Sequence, residues 1–141
     1  MLAPAASRTK VEEVVPVHAT CEEALPAVGV GLHVPEGTRG GELVYELPLE
    51  ADGRALVFND ALGNGPKLTG FLGSLVNLLG SGGVLGTPRI VKLRYMADKA
   101  RFRSFLEQLD LAGPWQALTV SHGDPVTVDI ADALRAAATR V

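Results

Sequence analysis

The stretch from Arg54 to Gly65, RALVFNDALGNG, restricts the fold of this chain more than any other. Four apolar residues run into Asn59-Asp60, and a turn rich in glycine follows. An apolar run that ends in a polar turn is typical of a buried strand. In open α/β sheets, ligands bind beyond such strand ends. The stretch therefore predicts a strand that carries Asp60 to the rim of a sheet.

The residues before this stretch predict its partner strand. Glu42 to Leu47 (ELVYEL) alternates polar and apolar residues, as a half-buried strand does. Asp52-Gly53 is a strong signal for a hairpin turn. We therefore expect Ala55 to Phe58 to return antiparallel to this strand.

Three later segments predict helices. The apolar residues between Leu68 and Leu79 recur at helical spacing, and the small uncharged face opposite them favours close packing over a mobile cover. Asp98 is placed to cap a helix through Leu109, and either Thr127 or Asp129 to cap a final helix ending at Arg140. Between these helices, Gly80 to Thr87 is predicted to be a flexible loop.

The remaining segments give weaker signals. Residues 1–10 are expected to be a flexible lead-in and residues 11–141 a single domain. Strands are predicted at Val11–Val17, Val28–Val34 and Gln116–Val120, a helical turn capped by Thr20 over Cys21–Leu25, and either a strand or a helical turn at Arg89–Tyr95.

Composition excludes several classes of protein. A net charge of -3 gives no global bias toward nucleic acid, so no nucleic-acid partner is expected. The basic residues from Arg89 to Arg103 are read first as a solvated face and second as a phosphate-binding patch. Leu68 to Gly86 carries no charge but is too rich in glycine to span a bilayer, so no membrane partner is expected. Residues 1–10 lack a secretory signal, which favours a cytoplasmic location.

Two strand ends resemble each other. Asp60 follows one predicted strand and His122, in Ser-His-Gly-Asp-Pro, follows another. A carboxylate and an imidazole on neighbouring strand ends could share a metal ion or a proton. Alternatively, both residues only cap turns, as short polar side chains often do.

Three segments together resemble the second half of a metallo-β-lactamase-fold hydrolase: HVPEGTRGGEL (33–43), GRALVFNDAL (53–62) and LTVSHGDP (118–125). The resemblance covers roughly residues 11 to 141. It implies an α/β fold of the α+β type, half of an αββα sandwich, with a mainly antiparallel or mixed sheet and helices on one face. In that family, a metal-bound hydroxide attacks esters, thioesters, amides or phosphoesters.

The resemblance also implies site residues. Asp60 stands where the family has its metal-bridging aspartate, and His122 where it has its last histidine ligand. The family usually has Pro-Gly-His-Thr where this chain has Pro35-Glu36-Gly37-Thr38, so Gly37 replaces a ligand. The His-x-His-x-Asp-His motif of the family's first half is not found in residues 1–30.

The incomplete ligand set predicts a protein that has diverged from the metal-dependent hydrolases of this family. A catalytic zinc needs about three protein ligands and an open position, and Asp60 and His122 supply two. We therefore expect a non-catalytic binding or assembly module, and the sequence assigns it no definite cofactor. The alternative is a hydrolase using zinc, iron or manganese whose site is completed by another chain or by a missing N-terminal half. A half sandwich also exposes one sheet face, which predicts a homo-oligomer or a partner chain.

Overall fold

A computed structural model describes residues 1–79 and 83–141 of the chain. Its main sheet has four strands: β3 (Gly31–His33), β4 (Val44–Pro48), β5 (Arg54–Val57) and β6 (Ala117–Thr119), in the order β3-β4-β5-β6. The first three strands are antiparallel, whereas β6 runs parallel to β5. The predicted α+β class and the mixed sheet are confirmed.

The predicted hairpin is confirmed and has a tight turn. Strand β4 pairs with β5 from Tyr45↔Val57 to Pro48↔Arg54. Ala51 and Asp52 between them have φ of 55° and 58°. Two consecutive residues with positive φ are what a type I′ hairpin turn requires.

The N-terminal segment forms a small layer of its own. Strand β1 (Leu2–Ala3) pairs parallel with β2 (Ala19–Thr20), so the expected lead-in contains a short strand. Helix α1 (Arg8–Glu12) and helix α2 (Cys21–Ala24) accompany them. The prediction that Thr20 caps the second helix is confirmed, because Thr20 and Glu23 form a reciprocal capping box.

Two strand predictions in this region were wrong or too long. Val11–Val17 is not a strand, since its first residues belong to α1, where Arg8 and Glu12 form an ion pair one helical turn apart at 3.0 Å. Only the end of Val28–Val34 is extended. Pro26–Val28 forms a 3-10 turn that Gly29 ends with a φ of 82°, which postpones the strand to Gly31.

The other helices are α3 (Gly70–Leu79), α4 (Arg89–Arg94), α5 (Lys99–Ala112) and α6 (Ile130–Thr139). Arg89–Tyr95 thus adopts the helical alternative. Asp98 caps α5 by accepting from the amides of Ala100 and Arg101, as predicted. The predicted loop 80–87 lies partly outside the described residues.

The main core lies between the sheet and the pair α5–α6. Val44, Leu56 and Leu118 point from the sheet into this core, where they meet buried residues of both helices. From α5 come Phe102, Phe105, Leu106 and Leu109, and from α6 come Ile130, Leu134, Ala137 and Ala138. This packing fixes β5 and β6 side by side, and therefore fixes the loops that follow them.

Helix α3 packs through its small uncharged face, as expected, and its apolar stripe is exposed. Phe71 and Leu72 are 87% and 74% exposed, whereas Gly73 is buried. A Cβ atom on Gly73 would lie 2.8 Å from the backbone of Leu68, and Asn77 bonds both the amide and the carbonyl of Leu68. The helix is therefore attached through its small polar face, and its apolar face points outward.

Candidate functional site

Asp60 and His122 are brought together by the register of two parallel strands. Val57 of β5 pairs with Thr119 of β6, and the Phe58 amide donates to the Thr119 carbonyl at 2.9 Å. Asp60 and His122 each follow their paired residue by three positions. Because parallel strands leave the sheet at the same edge, both side chains arrive at one place.

The two side chains are in direct contact. Nε2 of His122 lies 3.1 Å from Oδ1 of Asp60. Beside them, the Ser121 hydroxyl donates to Oδ1 of Asn59 at 2.8 Å, which adds a second link between the two strand ends. The side chains of His122 and Asp60 are 75% and 51% exposed, so the pair is open to solvent. Such a pair can donate and accept hydrogen bonds or contribute two metal-ligand atoms.

Backbone hydrogen bonds hold the two loops of this site together. The Asn64 amide donates to the His122 carbonyl at 2.9 Å, and the Asn64 side chain donates to the Asp124 carbonyl at 2.7 Å. Gly123, between them, has a φ of 126°. That conformation strongly favours glycine, which explains the glycine of the Ser-His-Gly-Asp-Pro segment.

The pair borders a cleft of about 490 Å³. One wall is α3, which contributes Val76 and Asn77, and another is α4 with the residues next to it. This volume falls in the range of small-molecule sites, which are mainly apolar with a few polar groups. The other residues around the cleft are Gly63, Gly65, Pro66, Pro88, Ile90, Val91, Arg94 and Tyr95.

Glu42 is a third titratable group near the pair, and the sequence analysis missed it. Its Oε1 accepts from the Ala61 amide at 3.1 Å, and it lines a second concavity of about 310 Å³ that also borders Asp60. Burial raises the pKa of the Glu42 carboxyl, the Ala61 amide lowers it less, and the Asp60 charge adds to the increase. The sequence showed Glu42 only as a polar position in an alternating strand, and β4 begins two residues later.

Glu42→Gln is expected to stabilise the protein at neutral pH. A carboxyl whose folded pKa is raised binds more protons when folded, so its contribution weakens as pH rises from its ordinary value of 4.5 through the raised value. Glutamine keeps an acceptor for the Ala61 amide and carries no buried charge. Urea unfolding at several pH values should show that Glu42→Gln raises the free energy of unfolding at pH above the raised pKa of Glu42. The gain should disappear at pH below the ordinary value of 4.5. A gain that is equal at acid and neutral pH would contradict this origin.

The other two histidines lie away from the pair. His33 Nε2 contacts Glu46 at 3.0 Å, and Arg54, at the opposite end of β5 from Asp60, bonds the same carboxylate and stacks over Trp115. Desolvation raises the pKa of the Glu46 carboxyl, but the bonds from His33 and Arg54 outweigh it, so the net pKa is lowered. His18 Nδ1 lies 2.6 Å from the amino group of Met1. Both histidines make local structural contacts.

Gly37, which the resemblance aligns with a family ligand, is at a position where the fold admits no side chain. It has a φ of 80°, and its carbonyl accepts from the amides of Ala97 and Asp98. A Cβ atom there would lie 2.1 Å from the Asp98 carbonyl oxygen and 2.7 Å from the Phe102 nitrogen. Residue 37 therefore supports the start of α5, and a histidine could not replace it without moving that helix.

A metal of the kind that the resemblance implies does not fit the residues present. In residues 1–79 and 83–141, no group of three or more His, Cys, Asp and Glu side chains is arranged to hold a metal ion. Asp60 and His122 supply two donors and Gly37 supplies none, whereas a catalytic zinc needs about three. Within this chain, the pair is an incomplete ligand set.

Comparisons with known proteins assign no family. No protein-family model matches the chain, and no curated protein matches its sequence. In the part of the chain that the structure describes, no helix is long and apolar enough to cross a membrane.

Proposed function

We propose that this chain is a non-catalytic binding or assembly module, a degenerate relative of the metallo-β-lactamase-fold hydrolases. The observation that carries the proposal is the packing of Gly37 against α5, since a Cβ atom at this position would lie 2.1 Å from the Asp98 carbonyl oxygen. A fold that uses this position for packing has lost the ligand there. Asp60 and His122 remain as a pair in mutual contact.

The binding site in this proposal is the cleft beside the pair. A small ligand would place its apolar part between α3 and α4, where Val76 and Ile90 line the cleft. Its polar end would meet Asp60, which accepts hydrogen bonds, and His122, whose Nδ1 would bond the ligand while Nε2 contacts Asp60. The cleft thus suits a compact molecule with one polar end.

The assembly part of the proposal concerns the sheet face opposite α5 and α6. Alternation along the strands puts Leu32, Tyr45, Leu47 and Val57 on that face. All four are partly buried, and Pro4 of the N-terminal segment lies near Tyr45 and Val57, so the face is covered only in part. A second copy or a partner chain that covers this face would remove the apolar area from water. Sedimentation should show an oligomer that Leu47→Arg shifts toward monomer, while the exposed-site control Leu111→Arg does not. A clean monomer over a wide concentration range would contradict self-association.

The second candidate is a metal-dependent hydrolase of small ester, thioester or phosphoester substrates. The observation that favours it is the 3.1 Å contact of Asp60 with His122 at the edge of a cleft of enzyme-like size. Its missing ligands would come from another chain or from a missing N-terminal half. Zinc, iron or manganese would then supply the Lewis acid, and Asp60 and His122 would hold part of its coordination shell.

Thermal melting with added metal separates the two candidates. If the module binds no metal, zinc, ferrous iron and manganese leave the melting temperature of the native chain unchanged. A rise of several degrees that disappears in Asp60→Ala and in His122→Ala, but persists in His18→Ala, would favour the hydrolase instead. His18 is the matched control because it is exposed and does not line the cleft.

A further inference from the structure

The exposed apolar side chains of α3 and α4 extend beyond those that line the cleft. Phe71 and Leu72 on α3 and Leu93 on α4 are 87%, 74% and 85% exposed. The two helices are in contact and both border the cleft, so their exposed apolar side chains lie in one region of the protein. Exposed apolar areas of this kind mark places where a protein binds a membrane surface or another molecule. Smaller exposed fractions are found for Leu68, Leu75, Leu78 and Val84, and for Val76, Ile90 and Tyr95, which also line the cleft.

The charged residues of the segment that forms these two helices all have one sign, and Asp60 at the cleft is the carboxylate next to it. Residues 61–97 contain Lys67, Arg89, Lys92 and Arg94, while all 16 acidic residues of the chain lie outside this segment. Lys67, Arg89 and Arg94 are exposed, and among the described residues none of the three pairs with a carboxylate. Lys92 is half-buried and bonds the Arg140 carbonyl. The apolar surface therefore has a positive rim on a protein whose net charge is -3.

We propose that α3 and α4 dock on the surface of an anionic lipid bilayer. Apolar side chains beside lysine and arginine are the pattern of helices that lie in the bilayer interface without crossing it. In a symmetric contact with a second copy, the exposed cations of the two copies would lie close together and repel each other. Residues 61–97 contain no carboxylate that could offset this repulsion. The acidic remainder of the chain is repelled by the same lipids, which orients α3 and α4 toward them.

The attachment of α3 agrees with this orientation. Its small polar face, with Gly73 and Asn77, rests on the turn at Leu68, and its apolar side chains point away from the core. A helix that packs in a globular core has the opposite arrangement. Binding at a bilayer surface differs from spanning the bilayer, so the proposal revises the expectation that no membrane is a partner and leaves the finding on spanning helices unchanged.

Vesicle flotation tests the proposal. The native chain is expected to float with vesicles of equal parts phosphatidylglycerol and phosphatidylcholine. Its affinity for vesicles of phosphatidylcholine alone should be lower by a factor of about ten or more. Raised salt should weaken binding to the anionic vesicles. Phe71→Glu and Leu93→Glu should each lower the partition coefficient about tenfold, because each removes an apolar contact and adds a negative charge.

Two further variants provide the controls. Leu111→Glu introduces the same change at a side chain that is 85% exposed on α5, outside this surface, and should leave partitioning unchanged. Arg89→Gln with Arg94→Gln should lower binding to anionic vesicles at least about tenfold and leave the melting temperature unchanged. Absence of flotation, or an equal loss in Leu111→Glu, would overturn the proposal. Without flotation, an oligomer that Phe71→Glu dissociates would assign the surface to a second copy.

Discussion

Gly123→Ala is expected to destabilise the protein by about 3 kcal/mol or more, because backbone strain and a steric clash act together. At a φ of 126°, a Cβ atom would lie 2.1 Å from the carbonyl carbon and oxygen of Asn64. The loop would have to move away from Asn64, which would break the hydrogen bond from the Asn64 amide to the His122 carbonyl. We therefore expect a melting temperature lower by roughly 10 °C, measured by circular dichroism.

Gly29→Ala is the matched control for this effect. Gly29 also has positive φ, at 82°, but a Cβ atom there meets no other atom within 4 Å. Its cost should be that of the backbone conformation alone, about 1 kcal/mol. Equal losses for Gly29→Ala and Gly123→Ala would show that the contact between the two loops is not tight, and would contradict the site geometry.

Phe102→Ala is expected to have a comparable or larger effect, about 3–5 kcal/mol, because it opens a cavity in the main core. The Phe102 ring is fully buried and stacks on Phe105 with the ring centroids 6.0 Å apart. The backbone of Phe102 also lies against Gly37. Chemical unfolding should show a lower midpoint, with the Asp60–His122 loops losing order in the same transition.

Leu111→Ala, on the same helix, provides the comparison. Its side chain is 85% exposed, so its removal should change the free energy of unfolding by no more than about 0.5 kcal/mol. If Phe102→Ala were as mild as Leu111→Ala, α5 would not form the core described above.

Local chemistry made the centre of the fold predictable. Asp52-Gly53 indicated the hairpin, Asp98 and Thr20 indicated helix starts, and each signal acts within a few residues. The proximity of Asp60 and His122 followed from two similar strand ends, because the core then aligned β5 with β6 in parallel. These predictions needed only short-range patterns and one assumption about neighbouring strands.

The features that sequence could not predict depend on tertiary contacts. Close packing of the small face of α3 was expected, but helical periodicity did not show that Leu68 is the residue it packs on. The half-buried carboxyl of Glu42 depends on the position of the Ala61 amide, which lies 19 residues further along the chain. The packing role of Gly37 became evident only from the position of α5 against it, because glycine in a turn has many other uses.

The most direct test of the central claim, that Asp60 and His122 are an incomplete metal-ligand pair, is elemental analysis of the purified chain after incubation with zinc and dialysis. The proposal predicts much less than one zinc, iron or manganese ion per chain, with the same content in the native protein, Asp60→Ala and the control His18→Ala. One metal ion per native chain, retained in His18→Ala and lost in Asp60→Ala, would contradict the proposal and favour a metal-dependent hydrolase.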